Sequence, residues 1–271
     1  SSGLDSAGYN DGYGGSAQEV LTYAFLSAYS GKDASTMKIN LFQKTPLPNW
    51  RINYDGLSKL AFTKKLFQSI SLTHGYRSTY NINSYSTSLL RKPDGSARDQ
   101  VGNFIPEFEL QQITLSEQFT PLIGVDITWK NKLSTRFEYK KDRNLSLTYA
   151  GVQLTEIKGT EFTFGAGYRF KPKWRLKLGG KKITLNNELN LTADVSYRKN
   201  STILRKLLEN IDQPTAGLNV FSFKTAADYA INERFNVRAY FEREGSTPLI
   251  STSFPTTRTE FGFTIRFILA Q

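Results

Sequence analysis

The strongest constraint on this chain's fold is an alternation of side chains with period two that returns in segment after segment. Ile123, Val125, Ile127 and Trp129 alternate with Gly124, Asp126, Thr128 and Lys130; Leu133, Thr135, Phe137 and Tyr139 alternate with Ser134, Arg136, Glu138 and Lys140. The same pattern runs through Phe162–Phe170, Leu189–Tyr197, Phe221–Ile231 and Phe235–Phe241. Successive residues of a β-strand point to opposite faces, so each segment reads as a strand with one apolar and one polar face. About ten to twelve such strands can be counted. The 14 Tyr and 19 Phe suit a pleated surface.

Only one helix is expected. Val20, Leu21, Ala24, Phe25 and Ala28 fall at helical spacing between Gln18 and Tyr29, and Gly31 sits where a helix would stop. The chain therefore divides into a loop with a short helix over residues 1–45 and a strand-rich region over 46–271.

The final segment, Thr259–Gln271, alternates Phe261, Phe263, Ile265, Phe267 and Leu269 against Gly262, Thr264 and Arg266. Such a strand closes bacterial outer-membrane barrels. Glu260, Gly262, Ile265 and Phe267 fit the polar-x-Gly-x-x-hydrophobic-x-hydrophobic signal read by barrel-assembly machinery. An edge strand of a soluble sandwich would share this alternation. Two features favour the barrel. Aromatic residues at Trp129, Tyr139, Tyr168, Phe170, Tyr197, Tyr229 and Phe241 are expected near strand ends, as an interfacial girdle requires. Connections also alternate in length: Asn131-Lys132 and Asn232–Arg234 are short and expected on the periplasmic side, while Lys199–Gly217 and Glu244–Thr257 are long. Lys171–Asn187 departs from that rule. The expected fold is an all-β, antiparallel transmembrane barrel with one short N-terminal helix, located in the outer membrane.

Composition narrows the chemistry. A mean hydropathy of -0.41 is compatible with a barrel, because lipid-facing and lumen-facing residues cancel. With no cysteine, disulfides and thiolate metal sites are excluded; with His74 as the single histidine, histidine triads and clusters are too. Asp5 and Asp11 lack calcium-loop spacing, and the glycines of Gly8–Gly15 lack a phosphate-loop ending. Glu107 and Glu109 are expected on one strand face as ordinary polar residues. No catalytic residue, cofactor or metal site is expected. The net charge of +11 is spread through strands and turns, without a basic helix, so nucleic acid is not an expected partner. The start, Ser1-Ser2-Gly3, has neither an initiator Met nor a signal sequence, which implies a removed signal or a piece of something longer. The Lys199–Gly217 connection has two readings. Ile203, Leu204, Leu207 and Leu208 stand at helix-like spacing and could dock a partner, or the flanking strands continue to a turn near Asp212-Gln213-Pro214.

Several segments, in order, resemble a known family. They include Leu47-Pro48-Asn49-Trp50-Arg51-Ile52, Leu72-Thr73-His74-Gly75-Tyr76-Arg77-Ser78-Thr79-Tyr80, and Phe104-Ile105-Pro106-Glu107. Ser116-Glu117-Gln118-Phe119, Glu138-Tyr139-Lys140-Lys141, Gly167-Tyr168-Arg169-Phe170 and Gln213-Pro214-Thr215-Ala216-Gly217 continue the likeness. Together they resemble the C-terminal region of the SprA (Sov) family, giant outer-membrane barrels of the Bacteroidota type IX secretion system, also linked to gliding motility. That resemblance implies a barrel of on the order of 36 strands that conducts folded cargo proteins, of which this chain would be the final arc. It also implies partners: the remaining strands of the same barrel, a PorV-type partner barrel, a periplasmic plug protein, cargo, and outer-membrane lipid or lipopolysaccharide. A self-contained small porin or transporter barrel and a soluble β-rich adhesin are the rival expectations.

Overall fold

A computed structural model describes residues 8–31, 33, 48–178, 181–185, 187–232, 234–250 and 253–267. Asp5, Glu233, Leu269, the start of the Leu47 motif and the boundary drawn near residue 45 lie outside the described residues.

Helix α1, Gln18–Ser30, is followed by strands β1 (Trp50–Tyr54), β2 (Phe67–Thr87), β3 (Phe108–Trp129), β4 (Leu133–Thr148) and β5 (Gln153–Phe170). Next come β6 (Trp174–Leu178), β7 (Lys181–Leu185), β8 (Leu189–Lys206), β9 (Ile211–Asn232), β10 (Phe235–Pro248) and β11 (Thr256–Phe267). Nine strands form one antiparallel sheet in the order β1-β2-β3-β4-β5-β8-β9-β10-β11, and β6 pairs with β7 alone. The long Lys171–Asn187 connection is thus a separate hairpin inserted between two neighbouring strands. Sequential neighbours pair throughout, with β1 and β11 as the free edges. No helix among the described residues is long and apolar enough to cross a membrane, which says nothing of crossing by strands.

The strands are longer than the alternation suggested. β3 and β9 each have 22 residues, and β5 and β8 each have 18, about twice the 9–11 residues of a tilted transmembrane strand. At one end of the sheet they meet in short turns, where Lys132 takes a positive φ of 68° and Arg234 N–H is received by Asn232 Oδ1. The opposite, far end carries the 88–107 and 249–255 loops and the tight 149–152 and 207–210 connections.

The helix-like reading of Lys199–Gly217 does not hold. Ile203 and Leu204 lie on β8, on opposite faces of the strand, and Leu207 and Leu208 occupy the turn. That turn closes at Asn210, whose φ of 53° is a conformation asparagine tolerates, and not at Asp212–Pro214. Pro214 instead sits within β9, at a register shift between Thr202 and Ile203, where a residue without an N–H is accommodated. Two further short helical turns, Gly56–Lys59 and α2 at Thr63–Leu66, interrupt the region expected to be strand alone.

Helix α1 ends as its sequence dictates: Gly31 has φ 66° and donates its N–H to Ser27 O at 2.9 Å. Its start is tied to β3 by Gln18, whose Nε2 donates to Phe108 O at 2.8 Å while Oε1 accepts from Leu110 N–H at 2.7 Å. Leu21, Phe25 and Leu26 then pack on Leu110, Ile113, Leu115, Leu145, Leu147 and Val152. This buried apolar cluster lies entirely at the far end of the sheet.

Candidate functional site

Register shows what each face of the sheet presents. On β4, Leu133, Thr135, Phe137, Tyr139, Lys141, Arg143, Leu145 and Leu147 point one way. Their partners on β5 run from Tyr168, Ala166, Phe164 and Phe162 to Thr160, Lys158, Glu156 and Leu154. The pattern continues onto β8, where Leu191, Ala193, Val195 and Tyr197 precede Lys199, Ser201, Ile203 and Arg205. One face of these strands therefore has three zones: an apolar band nearest the short turns, a charged zone, and the cluster under α1.

Among the described residues most of the band is uncovered; Ile70 and Leu189, toward the short turns, are its buried members. Phe261 and Phe263 are 76% and 73% exposed, and Phe164, Phe162, Phe221, Tyr197 and Ile123 are all exposed. Its aromatic rings meet one another across strands: Tyr139 stacks on Phe162 at 4.4 Å between ring centres, Phe67 meets Trp129 at 4.6 Å, and Trp50 meets Tyr76 at 4.6 Å. The seven aromatic residues expected as a girdle all share this face, by register. Tyr139, Tyr197 and Phe241, however, stand in mid-strand, because the strands run on past the band. Nine strands about 4.8 Å apart make a face roughly 40 Å wide, far more apolar surface than a soluble monomer ordinarily leaves in water.

His74 belongs to this face and is structural. The β3 register shifts between Phe119 and Ile123, around Pro121, and the Leu122 carbonyl freed there receives Nδ1–H of His74 at 2.7 Å.

The opposite face is mainly polar beside the apolar band, with Ile157, Leu204, Leu218 and Val220 on it farther out. One cross-strand row reads Asp126, Arg136, Gly165, Asp194, Lys224, Glu242 and Glu260 over seven strands. Within it Arg136 Nε approaches Asp126 at 2.7 Å and Lys224 approaches Glu242 at 3.3 Å. Arg238 and Asp228 form a further pair at 3.9 Å. Such exposed pairs contribute only about 0–1 kcal/mol each; what they establish is a wettable surface of mixed sign. The alternation announced this polar face but not the row, since register across seven strands depends on every intervening turn. Of the terminal-signal residues, Glu260 and Gly262 lie here, and Ile265 and Phe267 lie on the apolar face. Gly262 has a specific role: a Cβ there would come 2.6 Å from Tyr240 Oη, so the missing side chain lets the Tyr240 ring lie across the strand and reach Glu260 at 3.2 Å.

In the charged zone every acid is engaged. Glu117 receives Tyr29 Oη–H and Tyr76 Oη–H, each at 2.9 Å, and pairs with Arg143 at 2.9 Å. Burial pushes the Tyr29 phenol well above its ordinary range, so it stays protonated and donates. Glu156 takes Arg205 at 2.7 Å and Lys158 at 2.9 Å. Beside these groups, between α1 and the sheet, lies a cavity of about 340 Å³ lined by Phe25, Ala28, Leu147, Leu154 and Leu207, with Arg143, Glu156 and Arg205 among its walls. Of the four residues expected to meet a partner, Leu207 lines this cavity, and its N–H is held by Val152 O at 3.1 Å. Glu107 and Glu109 are engaged separately, with Arg91 at 3.3 Å and with Ser88 Oγ–H at 2.5 Å.

A scan against protein-family models and a search of curated proteins both found no match for this chain.

Proposed function

We propose that this chain forms part of the wall of an outer-membrane β-barrel, and that the barrel is a protein-conducting translocon of the type IX kind. One observation carries the membrane reading: a largely uncovered apolar face, aromatic-rich and continuous across the sheet, backed by a polar face that carries charges of both signs. A soluble sandwich would bury the first face against a second sheet. The apolar stretch of β8, Leu189–Tyr197, has nine residues, the length of one tilted membrane crossing. In this reading lipid covers the band and the mixed-sign row lines a hydrated passage. Charges of both signs keep water in the passage without giving a polypeptide of either sign a place to bind tightly. The short turns face the periplasm, and the strand extensions with α1 project from the opposite surface.

The finer assignment, protein secretion, rests on the resemblance of ordered segments to the SprA family and on a sheet that is open at both β1 and β11. Exposed strand edges invite pairing, and here they would join the other strands of a much larger barrel. A direct test is the mass of the native polypeptide that carries this sequence. Outer membranes from the source cells are denatured and blotted with an antibody raised against the Thr259–Gln271 peptide. A band several times larger than 30.7 kDa supports the giant-barrel reading; a band near 30.7 kDa overturns it in favour of a small porin-like barrel. Recovery in the detergent-free soluble fraction overturns both.

A further inference from the structure

The upper margin of the apolar band has a regularity of its own. The band closes with an aromatic residue on β4, β8 and β10, namely Tyr139, Tyr197 and Phe241. The next residue on the same face is Lys141, Lys199 and Arg243, a cation on every second strand. Lys141 and Lys199 share one cross-strand row with Phe119, Thr160, Asn219 and Thr247, whereas Arg243 lies two same-face positions nearer the short turns, between Phe223 and Thr259; neither row holds an acid. None of the three cations has an ion-pair partner among the described residues. The nearest acids on this face, Glu117 and Glu156, are already held by Arg143 and by Lys158 and Arg205. Lys141 and Lys199 are exposed on one cross-strand row, with Thr160 between them, hence about 10 Å apart.

We infer that Lys141, Lys199 and Arg243 bind the phosphates of anionic lipid headgroups, so that this part of the wall carries a bound row of lipid. The inference rests on the membrane reading above and names the partner of that face. Its physical basis is position: cations one step beyond an aromatic margin stand at headgroup depth, with their stems over apolar surface and their charges turned outward. Unpaired cations in a row repel one another, and a phosphate between them removes that repulsion. A soluble acidic partner would instead be expected to meet the strand extensions farther from the band.

The test uses the native polypeptide, extracted from membranes in mild detergent and returned to phosphatidylcholine vesicles containing either phosphatidylglycerol or a phosphorylated lipid A. Lipid retained after re-extraction is measured by phosphorus assay and native mass spectrometry, for the wild type and for the triple variant Lys141→Gln, Lys199→Gln, Arg243→Gln. Retained anionic lipid should fall by about fivefold for each charge removed, the usual strength of a basic side chain at an anionic surface, and 1 M salt should produce a similar loss in the wild type. Lys141→Arg with Lys199→Arg should retain lipid, and Lys132→Gln, in a turn at the other end of the sheet, should change nothing. Whichever anionic lipid is lost identifies the headgroup, and displacement by inorganic phosphate alone would replace the lipid site with a free-phosphate site. Equal retention by wild type and triple variant, with both inserted, overturns the inference alone. So does loss of a co-purifying acidic protein in place of lipid. Failure of the wild type to insert into phosphatidylcholine vesicles overturns the membrane reading instead.

Discussion

The two ends of the same strands treat the same face differently. On β4, Leu147 is 1% exposed beneath α1, while Phe137, on the same face, is 39% exposed with nothing over it. β11 has no covered end: it is exposed along nearly its whole length, with Phe261 at 76%. The far end is a small protein core, closed by a helix whose Gln18 is clamped to β3. The end nearer the short turns has no such cover among the described residues, and in the proposed function lipid takes its place. An apolar strand face is therefore not by itself a sign of a core or of a membrane; what is packed on it decides.

The sharpest way to break this comparison is to cut into the covered end. Leu147→Ala should cost about 2–5 kcal/mol, because the cavity under α1 cannot close over the lost side chain. The loss should be similar in detergent and in lipid vesicles, measured by urea unfolding. If the variant is as stable as the wild type, α1 is not a fixed cover and the contrast between the two ends collapses.

At the uncovered end the solvent itself is tested. Phe164→Arg on β5 should cost about 2–4 kcal/mol of stability in a bilayer, the ordinary penalty for a cation near mid-membrane. Folding yield into vesicles should fall accordingly, whereas Thr163→Arg, on the opposite face, should be tolerated. Equal effects of the two substitutions would mean that the faces are not distinguished by lipid.

The smallest effect concerns how the helix is held in place. The loop before α1 is tied to the 88–107 loop by Arg98, which grips Asp11 through two contacts of 2.7 Å and lies 4.6 Å over the Phe104 ring. Gly12, at φ 82°, lies beneath that ring, where a Cβ would come 2.2 Å from it, and its carbonyl accepts Phe104 N–H at 2.7 Å. The hydrogen bond from Arg98 holds the Asp11 carboxyl below its ordinary value of 3.8. A depressed carboxylate contributes its stabilisation fully above that value and loses it as pH falls through the folded-state value. Exchange protection of the Phe104 amide should therefore hold at neutral pH and fade below about pH 4. Arg98→Ala should remove the pH dependence. An unchanged profile in that variant would show that the tie does not involve this ion pair.

Much of this was legible along the chain. Apolar spacing and Gly31 marked α1 to within a residue, although Leu26, which the structure buries, was not part of the expected face. Alternation placed the aromatic residues on one face. What it did not show was where the apolar band ends within a strand, because Tyr139 and Leu145 obey the same period. Nor did it show the charged row from Asp126 to Glu260, which exists only once seven strands are in register.

The sequence by itself determined strands with two unlike faces, since that follows from backbone geometry acting on neighbouring residues. Only the tertiary structure decided which part of the apolar face is covered. That choice depends on contacts such as Gln18 with Phe108, ninety residues apart, and a local pattern carries no information about what a distant segment packs against.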